Sequence, residues 1–453
     1  MNNIAIIGSG YIGLVVGTNF AEFGNKVICA DIDAKKIENL KNGILPIYEP
    51  GLSELVEKNI LNQNIEFTTD VQFAIQSSDI IFIAVNTPTL KNGESDISAV
   101  KMVAKEIGRN INSSKIICIK STVPIGTNKI VHFIINENNK SNFEFHVVST
   151  PEFLREGSAI YDFLNPDRII IGTKSKKVFE KLKKLYSPIN CKAENVIKTD
   201  NLSAETIKYV SNSFLALKVS FINEIANFCD QLGIDIQEVT KGIGLDKRIG
   251  SQFLKPGPGF GGSCFPKDIH ALLKMAKNSN IELETIKATI KVNELQKIKV
   301  VEKLKKLLNG NLEKKVISVL GLAFKGNTDD IRKSPAIDII NHLKKEGARI
   351  KAFDPKANEN MKQEIRDIQY FGDAYLACQN ADAVLILTDW NEFKNLDFKE
   401  ISKVVKQPII LDTRNIIDIN KLIFLGFIVD TIGRSCLVNF NKEYPSTLLQ
   451  TSP

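Results

Sequence analysis

The feature that most constrains this chain lies at its start. A β-branched run at 4–7, Ile-Ala-Ile-Ile, passes directly into Gly8-Ser9-Gly10-Tyr11-Ile12-Gly13 and then into a helical pattern. The first glycine permits the tight turn, the second lets backbone approach a pyrophosphate, and the third lets helix and strand pack closely. A second apolar run, 26–31, ends in Asp31, where a carboxylate accepts hydrogen bonds from a ribose diol and repels a 2′-phosphate. The pattern predicts a dinucleotide site that prefers NAD to NADP, with Thr87, after the next apolar run, on a loop edge facing the cofactor.

The rest of the chain extends this beginning. With 453 residues it is long enough for two or three domains. Strands are expected at 4–7, 26–31, 80–85, 115–120 and 146–149, separated by amphipathic stretches, which argues for a parallel α/β sheet. From about 203 to 309 long helical patterns dominate, broken by the glycine-rich passage 257–262. Strands then resume at 315–320, 348–353, 383–387 and 409–411. The expected fold is α/β, two Rossmann-like doubly wound parallel-sheet domains joined by a central helical segment. Its parts are a first α/β domain at 1–200, a central helical segment at 201–309 and a second α/β domain at 310–453. The two α/β halves share only their alternation, and 442–453 reads as a frayed tail.

Composition narrows the function. A 43% hydrophobic and 25% charged mixture excludes a disordered or fibrous chain, and no apolar run reaches the length of a membrane span. The opening lacks a secretory pattern, so a soluble cytoplasmic protein is expected. A net charge of +7 is mild, and the lysine clusters at 174–184 and 297–306 read as solvated helix faces. No nucleic-acid partner is expected, whereas an anionic small substrate suits the balance. Seven cysteines without a Cys-x-x-Cys pair describe reduced thiols. His132, His146, His270 and His342 lack ligand spacing, so no metal is expected.

Three groupings carry candidate chemistry. Cys264, in Gly261-Gly262-Ser263-Cys264-Phe265-Pro266-Lys267-Asp268, follows a glycine-rich approach that reads as flexible. A helix N-terminus and Lys267 would favour its thiolate, with Asp268 one helical turn on. Lys208 and Asn212 stand at i and i+4 of a helical pattern and share a face. Glu152 and Glu156 repeat that spacing after Pro151. The remaining cysteines read as inert core thiols.

These residues resemble the UDP-glucose 6-dehydrogenases of the UDP-glucose/GDP-mannose dehydrogenase family. The resemblance runs from residue 4 to about 430. It is carried by Lys120-Ser-Thr-Val-Pro-Ile-Gly-Thr127, Pro151-Glu-Phe-Leu-Arg-Glu-Gly157, the Lys208/Asn212 helix, Phe253-Leu-Lys-Pro-Gly-Pro-Gly-Phe-Gly-Gly-Ser-Cys-Phe-Pro-Lys-Asp268, and Gly321-Leu-Ala-Phe-Lys325 with Arg332. Thr150 departs from the asparagine usual before Pro-Glu and bears on the substrate loop.

The resemblance implies oxidation of the UDP-glucose 6-hydroxymethyl to a carboxylate with two NAD and one water. Cys264 would attack the aldehyde, giving a thiohemiacetal and then a thioester. Lys208 and Asn212 would stabilise oxyanions, and Asp268 would hold the water network. Glu152 would be the base for hydrolysis, with Thr122 ordering it. The first base stays open between Lys208 and a water on Asp268. The implied cofactor set is Gly8, Gly10, Ile12, Gly13, Asp31, Lys36, Thr87, Thr122, Glu156, Lys267 and Arg332. The implied sugar-nucleotide set is Glu152, Phe153, Leu154, Glu156, Lys208, Asn212, Phe253, Leu254, Lys255, Gly257, Gly261 and Lys325, with Lys255 and Lys325 facing the diphosphate. Arg248 matches an arginine supplied by a neighbouring subunit, which implies a homodimer through the central helices. The rivals are a sibling acting on GDP-mannose or UDP-N-acetylmannosamine, a two-electron hydroxyacid dehydrogenase, and a non-catalytic nucleotide-sugar sensor.

Overall fold

The apolar runs become the central strands of two sheets. The structure is a computed structural model that describes residues 2–90 and 92–434. The expectations for 442–453, and for the cysteine at 436, fall outside the described residues. The chain divides into two units, residues 1–212 with 267–282, and residues 213–266 with the chain from 283 onward. The helix Asn201–Leu232 runs unbroken from the first into the second.

The first unit holds strands β1 (Asn3–Ile7), β2 (Lys26–Ala30), β3 (Ile65–Thr68), β4 (Ile80–Ile83), β5 (Lys115–Ile119), β6 (Phe145–Ser149), β7 (Ile169–Gly172) and β8 (Val196–Thr199), in the order β3-β2-β1-β4-β5-β6-β7-β8. Strand β1 pairs in parallel with both β2 and β4, so the winding reverses there and opens a crevice at the carboxyl ends of β1 and β4. The β6–β7 pairing, through Ser149 and Gly172, is antiparallel. Both faces are covered, which is why the central strands read as continuous apolar runs. Ile4, Ile6 and Phe82 enter one buried cluster, and Ala5, Ile7 and Ile83 the other.

The second unit repeats the plan. Its strands β9 (Val316–Leu320), β10 (Arg349–Phe353), β11 (Gln369–Tyr370), β12 (Ala383–Ile386), β13 (Ile409–Asp412) and β14 (Ile428–Thr431) take the order β11-β10-β9-β12-β13-β14. Thus β9 stands where β1 does. Gly8 and Gly321 follow these two strands with φ of 105° and 99°. A Cβ on Gly8 would lie 2.6 Å from the Ala84 carbonyl oxygen, and one on Gly321 would lie 2.4 Å from the Thr388 Cβ. Each glycine therefore lets the chain pass tightly over a residue just beyond the neighbouring strand, β4 or β12. The correspondence includes the acids: Asp31 follows β2, and Asp354 follows β10. The halves share strand order and turn chemistry, which corrects the expectation that they share only alternation.

Five strands are not among those expected. Ile65–Thr68 is short and alternates buried with exposed positions, Val196–Thr199 lies half-exposed at a sheet edge, and Gln369–Tyr370 is only a pair of residues. Ile428–Thr431 closes the other sheet's edge. Ile169–Gly172 is fully buried, and its short Ile-Ile-Ile run does carry a signal. Among the described residues no helix is long and apolar enough to cross a membrane.

The glycines of the first turn separate packing from binding. A Cβ on Gly13 would sit 1.8 Å from the Gly8 carbonyl oxygen, whereas one on Gly10 meets only Asn86 Oδ1 at 3.9 Å. Gly13→Ala should cost about 3 kcal/mol of stability by urea unfolding. Gly10→Ala should stay within about 1 kcal/mol of the parent yet lose NAD affinity by calorimetry, because its added methyl would occupy the approach expected for a pyrophosphate.

Candidate active site

In the first unit the glycine turn feeds helix Tyr11–Glu22, with Gly10 as its N-cap and Ile12 packed against the core. Asp31 accepts from the Ser9 N–H at 2.8 Å and from Lys36 Nζ at 2.9 Å, and the Asp33 N–H bonds its other oxygen at 3.1 Å. Burial pushes the Asp31 carboxyl up, but these hydrogen bonds together outweigh it and hold the group below the usual carboxylate range. The acid expected to read a ribose therefore also fixes the turn that would cradle the pyrophosphate. The open face at Gly10 and the helix N-terminus behind it fit a dinucleotide. The Thr87 hydroxyl donates to the Thr122 carbonyl at 2.7 Å, tying two residues expected at the cofactor.

A buried charged cluster lies in the same unit. Lys208 Nζ donates to Glu152 Oε1 at 2.9 Å, and both side chains are 4% exposed. The other Glu152 oxygen accepts the Leu154 N–H at 2.6 Å. One turn along the helix, Asn212 Nδ2 donates to Asp268 Oδ2 at 2.6 Å, and Lys267 Nζ reaches Asp268 Oδ1 at 2.6 Å. The i, i+4 spacing thus presents two carboxylate-bonded donors on one face. Phe153 is stacked by the Arg168 guanidinium, 3.9 Å from the ring centroid, with Lys208 at 5.4 Å. Glu156 is half-buried in the following turn, where the Gly157 N–H donates to Glu49 at 2.6 Å. Buried Glu49 also accepts from Tyr11 Oη and from the Ala159 N–H, joining the glycine turn to this segment. Thr150, the departure from the family pattern, is buried with its N–H bonded to the Ile119 carbonyl.

In the second unit the glycine-rich passage is braced rather than flexible. Gly257 donates its N–H to Asn223 and accepts from Gln296, at 2.8 and 2.9 Å. The Phe260 N–H donates to Asn293, and the Gly262 N–H to the Arg332 carbonyl. A Cβ on Gly261 would be 2.2 Å from the Lys333 carbonyl oxygen. These glycines permit close backbone approach, which corrects the reading of a flexible loop. Phe253 takes φ 63°, a conformation rare for an aromatic residue, while Leu254 is buried and Lys255 exposed. Cys264 immediately precedes helix Phe265–Asn278, with its Sγ 3.5 Å from Ser263 Oγ. Of the other described cysteines, Cys29, Cys118, Cys229 and Cys378 are buried and Cys191 is half-buried. Lys325 is half-buried over Phe324, and exposed Arg332 is bound to Asp330. Arg248 projects into solvent, its side chain 89% exposed and bonded to Asp246.

Sequence reasoning missed Lys120 as an individual residue, and also Glu205, Glu49 and Arg414. The Arg414 guanidinium donates to the carbonyls of Leu387 and Phe324, at 2.7 and 2.8 Å, and would lie 3.4 Å from a Cβ on Gly257. A charged residue just past a buried strand, at the carboxyl edge of a parallel sheet, was the available signal for Arg414 and Lys120. Glu49 and Glu205 had no such signal.

A glycine turn tied to Asp31, at the winding reversal of an open parallel sheet, puts the first unit in the class of dinucleotide-binding α/β domains. Models of the UDP-glucose/GDP-mannose dehydrogenase family match three successive segments: the NAD binding domain at 2–190, the central domain at 202–295 and the UDP binding domain at 318–419. The chain belongs to this family. It is 50% identical over 435 residues to UDP-glucose 6-dehydrogenase TuaD of Bacillus subtilis (strain 168), covering 96% of this chain and 94% of that protein. The solved UDP-glucose dehydrogenase of the hyperthermophilic archaeon Pyrobaculum islandicum superposes with a TM-score of 0.86 at 35% identity, over 92% of this chain and 95% of that one. A UDP-D-ManNAc dehydrogenase from Pyrococcus horikoshii gives 0.82 at 27% identity, over 95% and 99%.

Lys120 makes the charge balance of the cluster testable. Burial pushes its ammonium down to about 8, opposed by Glu152 and reinforced by Lys208. Because the folded value lies below the unfolded one, the unfolded chain binds more protons between about pH 8 and pH 10. Stability from this group therefore rises with pH through that window. Lys120→Met should raise the thermal midpoint at pH 7, and the gain should shrink as pH is raised towards 10.

Proposed function

We propose that the protein oxidises C6 of UDP-glucose to the carboxylate, giving UDP-glucuronate in a four-electron reaction with two NAD and one water. The carrying observation is the buried face on which Lys208 bonds Glu152 and Asn212 bonds Asp268. It offers two donors to an oxygen at C6, each already oriented by a carboxylate. Asp31, the Gly8 turn, Lys36, Thr87, Thr122, Glu156, Lys267 and Arg332 would hold NAD, which when bound accepts the hydride in each oxidation.

The chain's own residues do the rest. Lys208, or a water on Asp268, takes the proton from the C6 hydroxyl as the alcohol becomes an aldehyde. The Cys264 sulfur then bonds to C6, and its hemithioacetal oxygen gains the proton and is held by Lys208 and Asn212. The second oxidation leaves a thioester. Glu152, aligned with Thr122, draws a proton from water, water oxygen bonds to C6, and the C6–S bond breaks to return the thiolate. Phe153, Leu154, Phe253, Leu254, Lys255, Gly257, Gly261 and Lys325 would bind the nucleotide sugar. Higher identity to the UDP-glucose dehydrogenases than to the UDP-D-ManNAc enzyme favours UDP-glucose over a sibling sugar.

The division of labour follows the same reading: NAD on 1–200, dimerisation through 201–309 and the UDP-sugar on 310–453, in a cytoplasmic homodimer. Phe214, Phe221 and Phe228 recur every seventh residue on the long helix and are 59%, 50% and 59% exposed. Leu295 and Ile298 are also exposed on the helix Glu284–Leu307, to which the long helix is hydrogen-bonded. Such an apolar stripe suits a second copy of the same helix. Exposed Arg248 would then complete the partner's sugar site.

Two measurements test this reading. Wild type should release two NADH per UDP-glucose consumed, and mass spectrometry of quenched Glu152→Gln should show an adduct on Cys264 that Cys264→Ala lacks. A ratio of one, or full conversion by Cys264→Ala, would remove the covalent four-electron mechanism. Mixed Arg248→Ala and Cys264→Ala chains, each inactive alone, should recover partial activity in heterodimers. No recovery after confirmed subunit exchange would refute the shared site.

A further inference from the structure

Glu205 is buried, 4% exposed, one turn before Lys208 and two before Asn212 on the same helix face. Its two carboxylate oxygens go to different places on one neighbouring element. Oε2 accepts the Gly126 N–H at 2.6 Å and Oε1 accepts the Asn128 N–H at 2.8 Å. These donors belong to the first turn of helix Thr127–Asn138, for which Gly126, at φ 96°, is the N-cap and supplies no side-chain cap. The chain reaching that turn is the loop carrying Ser121 and Thr122. Its other side is already pinned, because the Ser121 hydroxyl donates to the Val85 carbonyl at 2.6 Å and Thr87 holds the Thr122 carbonyl. Thr122, Ser149, Glu205 and Lys208 line one small cleft of this unit.

We propose that Glu205 is a positioning residue for the oxidation. As a carboxylate it clamps the start of helix Thr127–Asn138 to the helix bearing Lys208 and Asn212, and so holds Thr122 in register with Lys208. This rests on the roles given above to Thr122 and Lys208. The ionised form is the one the geometry requires, since both partners are N–H donors and each needs its own acceptor oxygen. An amide at this position would turn an NH2 towards one of them.

Burial pushes the Glu205 carboxyl up to about 7, against the lowering by the Gly126 and Asn128 N–H groups and Ser149, while Asp200 adds to the rise. The other titratable groups around the cluster are Lys208 and Tyr209 on the same helix, Glu152 and Lys120 beyond the ends of β6 and β5, and Asp268 with Lys267. Protonation in the folded enzyme would put a hydrogen on an oxygen that must accept, so the clamp loosens as pH falls through about 7.

The test compares wild type, Glu205→Gln and Glu205→Asp by kcat and KM across pH 5.5–9, with NAD affinity by calorimetry. Glu205→Gln should lose about 10- to 100-fold in kcat, with KM for UDP-glucose and the NAD affinity within about twofold of wild type. Its kcat should no longer fall below pH 7. Glu205→Asp, which keeps the charge but shortens the reach, should lose activity and keep that fall. Wild-type kcat in Glu205→Gln protein, with or without a lower melting temperature, would overturn the proposal by making Glu205 purely structural. If Glu205→Gln does not fold, the wild-type and Glu205→Asp profiles decide, and a wild-type kcat flat from pH 6 to 8 overturns it. Thr122→Ala and Lys208→Ala separate the two readings. Full activity in both removes the site reading itself, whereas their inactivity beside an active Glu205→Gln removes only the role of Glu205.

Discussion

Close backbone approach at a winding reversal is the constraint on which both sheets depend. Where β1 pairs with β2 on one side and β4 on the other, the chain leaving β1 must cross the end of β4 with no room for a Cβ. Gly8 meets that demand in the first unit and Gly321 in the second, each in a positive-φ conformation that an L side chain adopts only with strain. Beyond the glycine the two units diverge. After Gly8 the chain enters a helix within one turn, so N–H groups point at the crevice. After Gly321 the next helix, Pro335–Lys345, starts only beyond an extended loop. One oxygen of Asp354 accepts from the Leu322 and Ala323 N–H groups of that loop and from Trp390 Nε1, and its other oxygen accepts from the Lys356 and Ala357 N–H groups. One plan thus places a helix N-terminus directly after the glycine turn in one unit and a broad loop bearing Lys325 there in the other.

The second organising interaction is the sharing of buried charge along one helix. Glu205, Lys208 and Asn212 recur at helical spacing, and each is bonded to an element at the carboxyl end of the first sheet or to Asp268. Breaking a buried pair by removing one partner costs about 3–5 kcal/mol, because it leaves a charge without compensation. The same arrangement that would let Lys208 and Asn212 serve an oxyanion, as proposed, therefore makes their neighbourhood intolerant of single substitutions. Burial depresses the Lys120 ammonium, and the neighbouring Lys208 cation adds a little to that, so its removal is expected to stabilise the fold at neutral pH.

The central strands, the glycine fingerprint with Asp31, the i, i+4 pair Lys208/Asn212 and the cysteine ahead of Lys267 and Asp268 are all legible in the order of residues. In each case the chemistry is local: a turn needs a glycine, and a helix face needs a period. The family motifs then extend these local features over nearly the whole chain. Folding settles the features that depend on partners distant in sequence. Three of the edge strands carry no continuous apolar run, because part of each is left exposed rather than covered on both faces. The glycines of 257–262 are close-approach residues, because Asn223, Asn293 and Gln296 arrive from helices far along the chain. The carboxylates of Glu49 and Glu205 stand among ordinary helical and loop residues in the sequence. Their work is set by backbone N–H groups that folding alone brings within hydrogen-bonding distance.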